Sequence, residues 1–147
     1  MEHRKFMSLA LSEARAAAEK GEVPVGAVIV KNGEVIASAH NETEERNNPL
    51  CHAEVMAAEK ALEALGTKNL SDCTLYVTLE PCPMCMGALL HCRNGSIVFG
   101  AFDEKTGSVT TRADLTEMEY FRKPKITGGY MEEESRNLLK EFFLSRR

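Results

Sequence analysis

The sequence predicts an α/β domain in three layers, α/β/α, built on a mixed five-stranded sheet with an N-terminal hairpin and helices on both faces. Three observations carry that prediction. Strand-like and helix-like segments alternate along the chain. Asn32-Gly33 stands between two β-rich runs, a strong short signal for an antiparallel hairpin. After the hairpin, strand-like runs are separated by helix-like ones, and such crossovers place helices over the faces of a sheet.

The elements follow in order. Residues 3–20 read as a helix, because Phe6, Leu9, Ala10, Glu13, Ala14 and Ala17 recur at helical spacing and Gly21 offers a stop. Residues 25–40, "VGAVIVKNGEVIASAH", read as the hairpin. "NPL" breaks the chain before a helix over about 51–65, closed by Gly66. "CTLYVTL" (73–79) has the β-rich composition of a strand. Residues 81–92 read as a helix with Pro81 in its first turn, where a missing N–H costs nothing. "GSIVFGAF" (95–102) is a fourth strand, "TRADLTEMEYF" (111–121) a short helix, and "PKITGGY" (124–130) a fifth, edge strand. "EEESRNLLKEFFLSRR" (132–147) starts acidic and ends basic, which suits the dipole of a final helix.

The chain has 147 residues, of which 44% are hydrophobic and 27% charged, enough to bury a core in one domain spanning 1–147. No apolar run is long enough to span a bilayer, and the charged N-terminus lacks the apolar core of a signal peptide. A soluble, cytoplasmic protein with no membrane partner is therefore expected. Five cysteines, an odd number, argue against a disulfide framework and leave thiols for metal. The net charge of −4 excludes a strongly basic nucleic-acid binder. Basic groups are local: Arg122, Lys123 and Lys125 adjoin Tyr120 and Phe121, and Arg146 and Arg147 end the chain. Such a mixture suits base stacking and phosphate contact, as well as an ordinary solvated edge.

The chemistry concentrates in "LCHAEVMAAEKAL" (50–62) and "EPCPMC" (80–85). His52, Cys82 and Cys85 offer one imidazole and two thiolates, a zinc-type donor set. A Cys-x-x-Cys pair at a helix start meets free N–H groups and the positive dipole end, which stabilise thiolates. Cys92, seven residues past Cys85, lies about 10 Å farther along a continuous helix and cannot join the same ion. Cys73 begins a strand and belongs at the distant end. Cys51 adjoins His52, but neighbouring helical side chains diverge by about 100°, so joint ligation is strained. An open fourth position gives Glu54 a purpose: a carboxylate beside a metal-activated water can take its proton and pass it on. The bland alternative is a closed zinc staple with an ordinary N-terminal glutamate.

"CHAE" with "PCPMC" resembles the zinc-dependent nucleobase and nucleoside deaminases. "GEVPVGAVIV", "HNE", "NPLCHAEVMA", "TLYVTLEPCPMCMGALLHCR", "IVFGAFDEKTG" and "LLKEFF" resemble, in order, the blocks of the bacterial tRNA adenosine deaminases, over most of residues 6–145. That resemblance implies a cytidine deaminase-like fold, one Zn²⁺ per subunit on His52, Cys82 and Cys85, and Glu54 as the proton shuttle. It implies hydrolysis of adenosine to inosine at the wobble position, with Asn41 contacting base or ribose and the Val25–Gly26–Ala27 backbone walling the pocket. A tRNA anticodon loop is the implied partner, and a homodimer the implied assembly. Past "DEKTG" the chain departs from the family pattern: "SVTTRADLTEM" replaces a small-residue and apolar segment, and "YFRKPKI" stands where an Asn-His pair is usual. Two other functions compete. One is deamination of a free base or nucleoside, with guanine, cytosine or adenosine as candidates. The other is a non-catalytic zinc-stapled binding module.

Overall fold

A computed structural model describes residues 2–146. The chain runs α1 (His3–Glu19), β1 (Gly26–Lys31), β2 (Glu34–His40), α2 (Ala53–Leu65), β3 (Cys73–Leu79), α3 (Pro83–His91), β4 (Ser96–Ala101), β5 (Lys125–Thr127) and α4 (Glu132–Leu144), with a single 3₁₀ turn at Leu115–Glu117. The sheet order is β2-β1-β3-β4-β5. β1 is antiparallel to both β2 and β3, whereas β3, β4 and β5 are parallel. The mixed five-stranded sheet and its N-terminal hairpin are as the sequence predicts. Asn32 (φ 51°) and Gly33 (φ 77°) both take positive φ, the backbone a two-residue hairpin turn needs and the reason this pair marks it.

Alternate strand residues feed two cores, as the two-residue period of a strand requires. Val28, Val30, Tyr76 and Val98 face α1 and meet Phe6, Met7, Ala10 and Leu11, with Leu138 of α4 packed against them. Ala27, Ile29, Leu75, Val77, Ile97 and Phe99 face the opposite way, toward α2 and α3, where Ala57, Ala61, Met86 and Leu89 close the second core. Each fully buried Leu, Ile or Phe contributes about 1.5–3 kcal/mol of transfer free energy. The result is helix, sheet, helix. Among the described residues no helix is long and apolar enough to cross a membrane.

Several boundaries differ from expectation. Leu9, assigned by spacing to the inner face of the first helix, is 41% exposed, while Met7 and Leu11 are buried. Phe6, Ala10, Ala14 and Ala17 are buried as the spacing predicts, and the stripe widens toward Met7 and Leu11 rather than Leu9, because the sheet lies under that side. The second helix starts at Ala53, so Cys51 and His52 precede it. The third starts at Pro83, and Pro81 lies outside it; the proline in the first turn is therefore Pro83. Residues 111–121 form only the 3₁₀ turn in an extended loop. Asp114 caps that turn, its side chain accepting from Thr116 N–H. The last helix ends at Leu144; Arg147 lies outside the described residues.

Candidate active site

β3 runs toward α3 and β2 toward α2, so the N-termini of both helices meet at the carboxyl ends of the parallel strands, the usual crevice of an open α/β sheet. Each helix is preceded by an extended residue carrying a donor atom: His52 (φ −80°, ψ 148°) before α2 and Cys82 (φ −77°, ψ 175°) before α3. Neither side chain caps its own helix, so both are free for other partners. Cys85 projects from the first turn of α3 and is fully buried.

The three residues come together. His52 Nδ1 lies 3.6 Å from Cys82 Sγ and 3.4 Å from Cys85 Sγ. All three donor atoms fall within 4.8 Å of one another. A tetrahedral zinc ion with bonds of about 2.0 Å to nitrogen and 2.3 Å to sulfur has an N···S edge of about 3.5 Å, so the spacing suits that ion. The electrostatics agree. Without a cation the two sulfurs share one hydrogen bond, which lowers Cys82 to about 4, with His52 adding to the effect. That same bond, together with burial, pushes Cys85 up. A bound divalent cation would stabilise both as thiolates. His52 is raised chiefly by its hydrogen bond to Cys82.

Glu54 sits in the first turn of α2 and is 4% exposed. Burial raises its carboxyl to about 7, reinforced by the neighbouring Cys82 sulfur and opposed by its own backbone N–H, His52 and Cys85. A proton-transfer group works best with a pKa near the operating pH. The remaining cysteines are elsewhere. Cys51 is buried in the core facing α2, Cys73 begins β3 at the far end of the sheet, and Cys92 follows the C-terminus of α3.

A cleft of about 210 Å³ opens over these groups, walled by Val23, Val25, Asn41, Leu79, Asp103 and Thr106 among others. It is smaller than the roughly 300–1,000 Å³ that encloses a drug-sized ligand, so it takes one base-sized group. Asn41 is buried in its wall. Its Oδ1 accepts from Ala53 N–H at 2.9 Å and its Nδ2 donates to the Val23 carbonyl at 3.2 Å, which ties the pocket rim to the start of α2. Two buried carboxylates flank the cleft and were not singled out by motif. Glu22 accepts from the N–H groups of Glu44 and Glu45 (3.0 and 2.7 Å), holding the loop that leads to His52. Glu80 does the same for the loop after β4. A glutamate beside a loop carries no periodic or spacing signal; only Gly107, needed where the chain passes Glu80, hints at it.

The aromatic and basic cluster lies elsewhere. Lys125 pairs with Ser96 at the start of β4, while the cleft lies beyond its end. Phe121 packs edge-on against His91 at the C-terminus of α3, with ring centroids 5.0 Å apart. The basic side chains beside the cleft are instead Lys105, Arg136 and Lys140, which share a groove with Phe102 and Phe143.

Comparison with known proteins agrees with this geometry. The model of the MafB19-like deaminases matches residues 1–147. The tRNA-specific adenosine deaminase of Bacillus subtilis is 48% identical over 139 residues, covering 94% of this chain and 86% of that one. The enzyme of the same name from Aquifex aeolicus is 46% identical over 138 residues, covering 94% and 91%. A solved structure from work on A-to-I editing by tRNA:A34 deaminases at the wobble position of transfer RNA superposes with a TM-score of 0.89 at 42% identity, covering 92% of this chain and 99% of that one. Guanine deaminase from Bacillus subtilis, at 41% identity, superposes with a TM-score of only 0.66 over 69% of this chain and 66% of that one. With a deaminase model spanning its whole length and the fold of a tRNA:A34 deaminase, the chain belongs to the deaminase family, alongside the tRNA-specific adenosine deaminases.

Proposed function

We propose that this protein hydrolyses adenosine to inosine at the wobble position of tRNA, in the cytoplasm, releasing ammonia. The observation that carries the reading is a base-sized cleft in which Glu54 stands against the His52, Cys82 and Cys85 donor set. These three residues would hold one Zn²⁺, which supplies an acidified water at neutral pH. Glu54 takes a proton from the attacking water, delivers it to the adenine ring, and serves the departing amine in the same way. Its burial keeps bulk water from competing for that proton. Glu54 lies in the first turn of α2, two residues past His52, and is buried there. Attack falls on C6, the carbon that bears the amine.

Asn41 is proposed as a substrate contact. Its amide is fixed in the wall by the two bonds above, which leaves its second Nδ2 hydrogen for a base or ribose acceptor. Substituting Asn41→Ala is expected to raise KM by about tenfold, the loss of a hydrogen bond plus a looser rim. An unchanged KM would remove Asn41 from the substrate site.

The rest of a large substrate must lie outside so small a cleft. The groove of Phe102, Lys105, Arg136, Lys140 and Phe143 shares Val23, Leu79 and Asp103 with it. It offers aromatic faces for splayed bases and cations for phosphates, which favours RNA over a free base. A homodimer is the proposed assembly. The test is a side-by-side ammonia and inosine assay on tRNA carrying A34, its anticodon stem-loop, and free guanine, cytosine and adenosine. Inosine from the RNA substrates is expected. Ammonia from a free base, with none from RNA, would overturn the reading in favour of a small-substrate deaminase.

A further inference from the structure

Glu80 is 1% exposed, and it forms no ion pair among the described residues. Its carboxylate is satisfied instead by one loop. Oε2 accepts from the N–H groups of Val109 (3.1 Å), Thr110 (2.8 Å) and Thr111 (3.0 Å). Oε1 accepts from Asp103 N–H (3.1 Å) and from the Thr111 hydroxyl. Next to it, Ser108 N–H donates to the Pro81 carbonyl at 2.9 Å. Gly107 passes so near that a Cβ there would run into Glu80 Oε1.

The loop held in this way carries Asp103 and Thr106, which line the cleft together with Glu80 itself. Five donors converge on a group that only accepts, and hydrogen bonds to an ionised acceptor are about twice as strong as neutral ones. Four of the five donors are main-chain N–H groups. The grip is therefore largely indifferent to side-chain identity, and it can hold the segment "SVTT" although that segment departs from the family pattern. Glu80 also sits two residues before Cys82. The wall of the pocket and the cysteine segment are thus built on one short stretch of chain.

We propose that Glu80 is a positioning residue: it fixes residues 103–111 as the rigid wall against which the substrate base is seated. The proposal rests on the deaminase function above. It touches neither the reacting atoms nor the metal ligands, so its effect belongs to substrate binding more than to turnover.

The experiment uses the metal-loaded full chain and Glu80→Gln. Glutamine must present an NH₂ to some of these donors, so it frees the loop without emptying the site. The expected result is a KM for the anticodon stem-loop raised about tenfold, with kcat altered by less than about threefold. Metal content should stay at the wild-type value, and amide hydrogen exchange at 109–111 should quicken while the β3 amides remain protected. Thr111→Val, a milder change that removes only the hydroxyl donor, should move KM the same way by a few-fold. Added to Glu80→Gln it should have no further effect, since both act through one network. An unchanged KM, or unchanged exchange at 109–111, would overturn the proposal, and Thr111→Val alone decides the matter should Glu80→Gln fail to fold. A wild-type protein inactive on RNA would instead refute the assigned substrate. In that case the same KM comparison, made on whichever base the protein does deaminate, together with the exchange measurement still decides the role of Glu80.

Discussion

Glu54→Gln is expected to lower kcat by about 10²- to 10⁴-fold, the range associated with a positioned general acid–base group. Glutamine keeps the size of the side chain and its place in the first turn of α2, but it can neither take a proton from water nor give one to a leaving amine. The metal should remain, because the donor atoms are those of His52, Cys82 and Cys85. Stability should not fall. Glu54 is buried, and desolvation is the main reason its carboxyl is pushed up to about 7, so an ionised side chain there is a cost that the neutral amide avoids. The measurement is kcat on the anticodon stem-loop, with metal analysis and thermal unfolding on the same preparation. Full turnover in the variant, or loss of metal with the loss of turnover, would refute the proton-shuttle role. A wild-type chain that keeps its metal but turns over neither RNA nor a free base would instead support the zinc-stapled binding module.

Cys82→Ala is expected to remove both metal and activity. The donor set drops from three to two, His52 and Cys85, too few to hold the ion against a competing chelator. Metal per chain should fall from about one to near zero after dialysis against a mild chelator, and turnover to the uncatalysed background. Cys82 is the better choice for this test. Cys85 is completely buried in the packed start of α3, so its truncation would combine metal loss with a cavity. Cys92→Ala is the control. That residue lies past the other end of α3, so metal and turnover should persist. Retention of a full equivalent of metal by Cys82→Ala would show that another group, with Cys51 the adjacent candidate, completes the set.

Local chemistry was legible wherever a few neighbouring residues determine it. Asn32-Gly33 announces its turn because few other pairs tolerate two positive φ angles in succession. His52, Glu54, Cys82 and Cys85 announce theirs because a metal and a proton shuttle require particular atoms at particular spacings. The fold class followed from the alternation of elements. What failed was what depends on distant partners. Leu9 fits a helical stripe as well as Met7 or Leu11 does, and only the position of the sheet decides which is covered. Where Tyr120 to Lys125 stands was likewise not legible: the parallel pairing of β5 with β4 puts Lys125 at the end of the sheet away from this chain's own cleft. The Glu80 and Glu22 clamps are invisible in the sequence for a related reason.

Residue types and their spacing in the sequence therefore pointed to a metal-activated water beside a proton shuttle, and the resemblance to the deaminases supplied the reaction. Only the tertiary structure decided the shape of the site: which loops wall it, which buried carboxylates hold those loops, and which cations stand at its mouth. The physical reason is that hydrogen bonds to main-chain N–H groups, such as those received by Glu80, depend on where the backbone passes and hardly at all on which residue passes there.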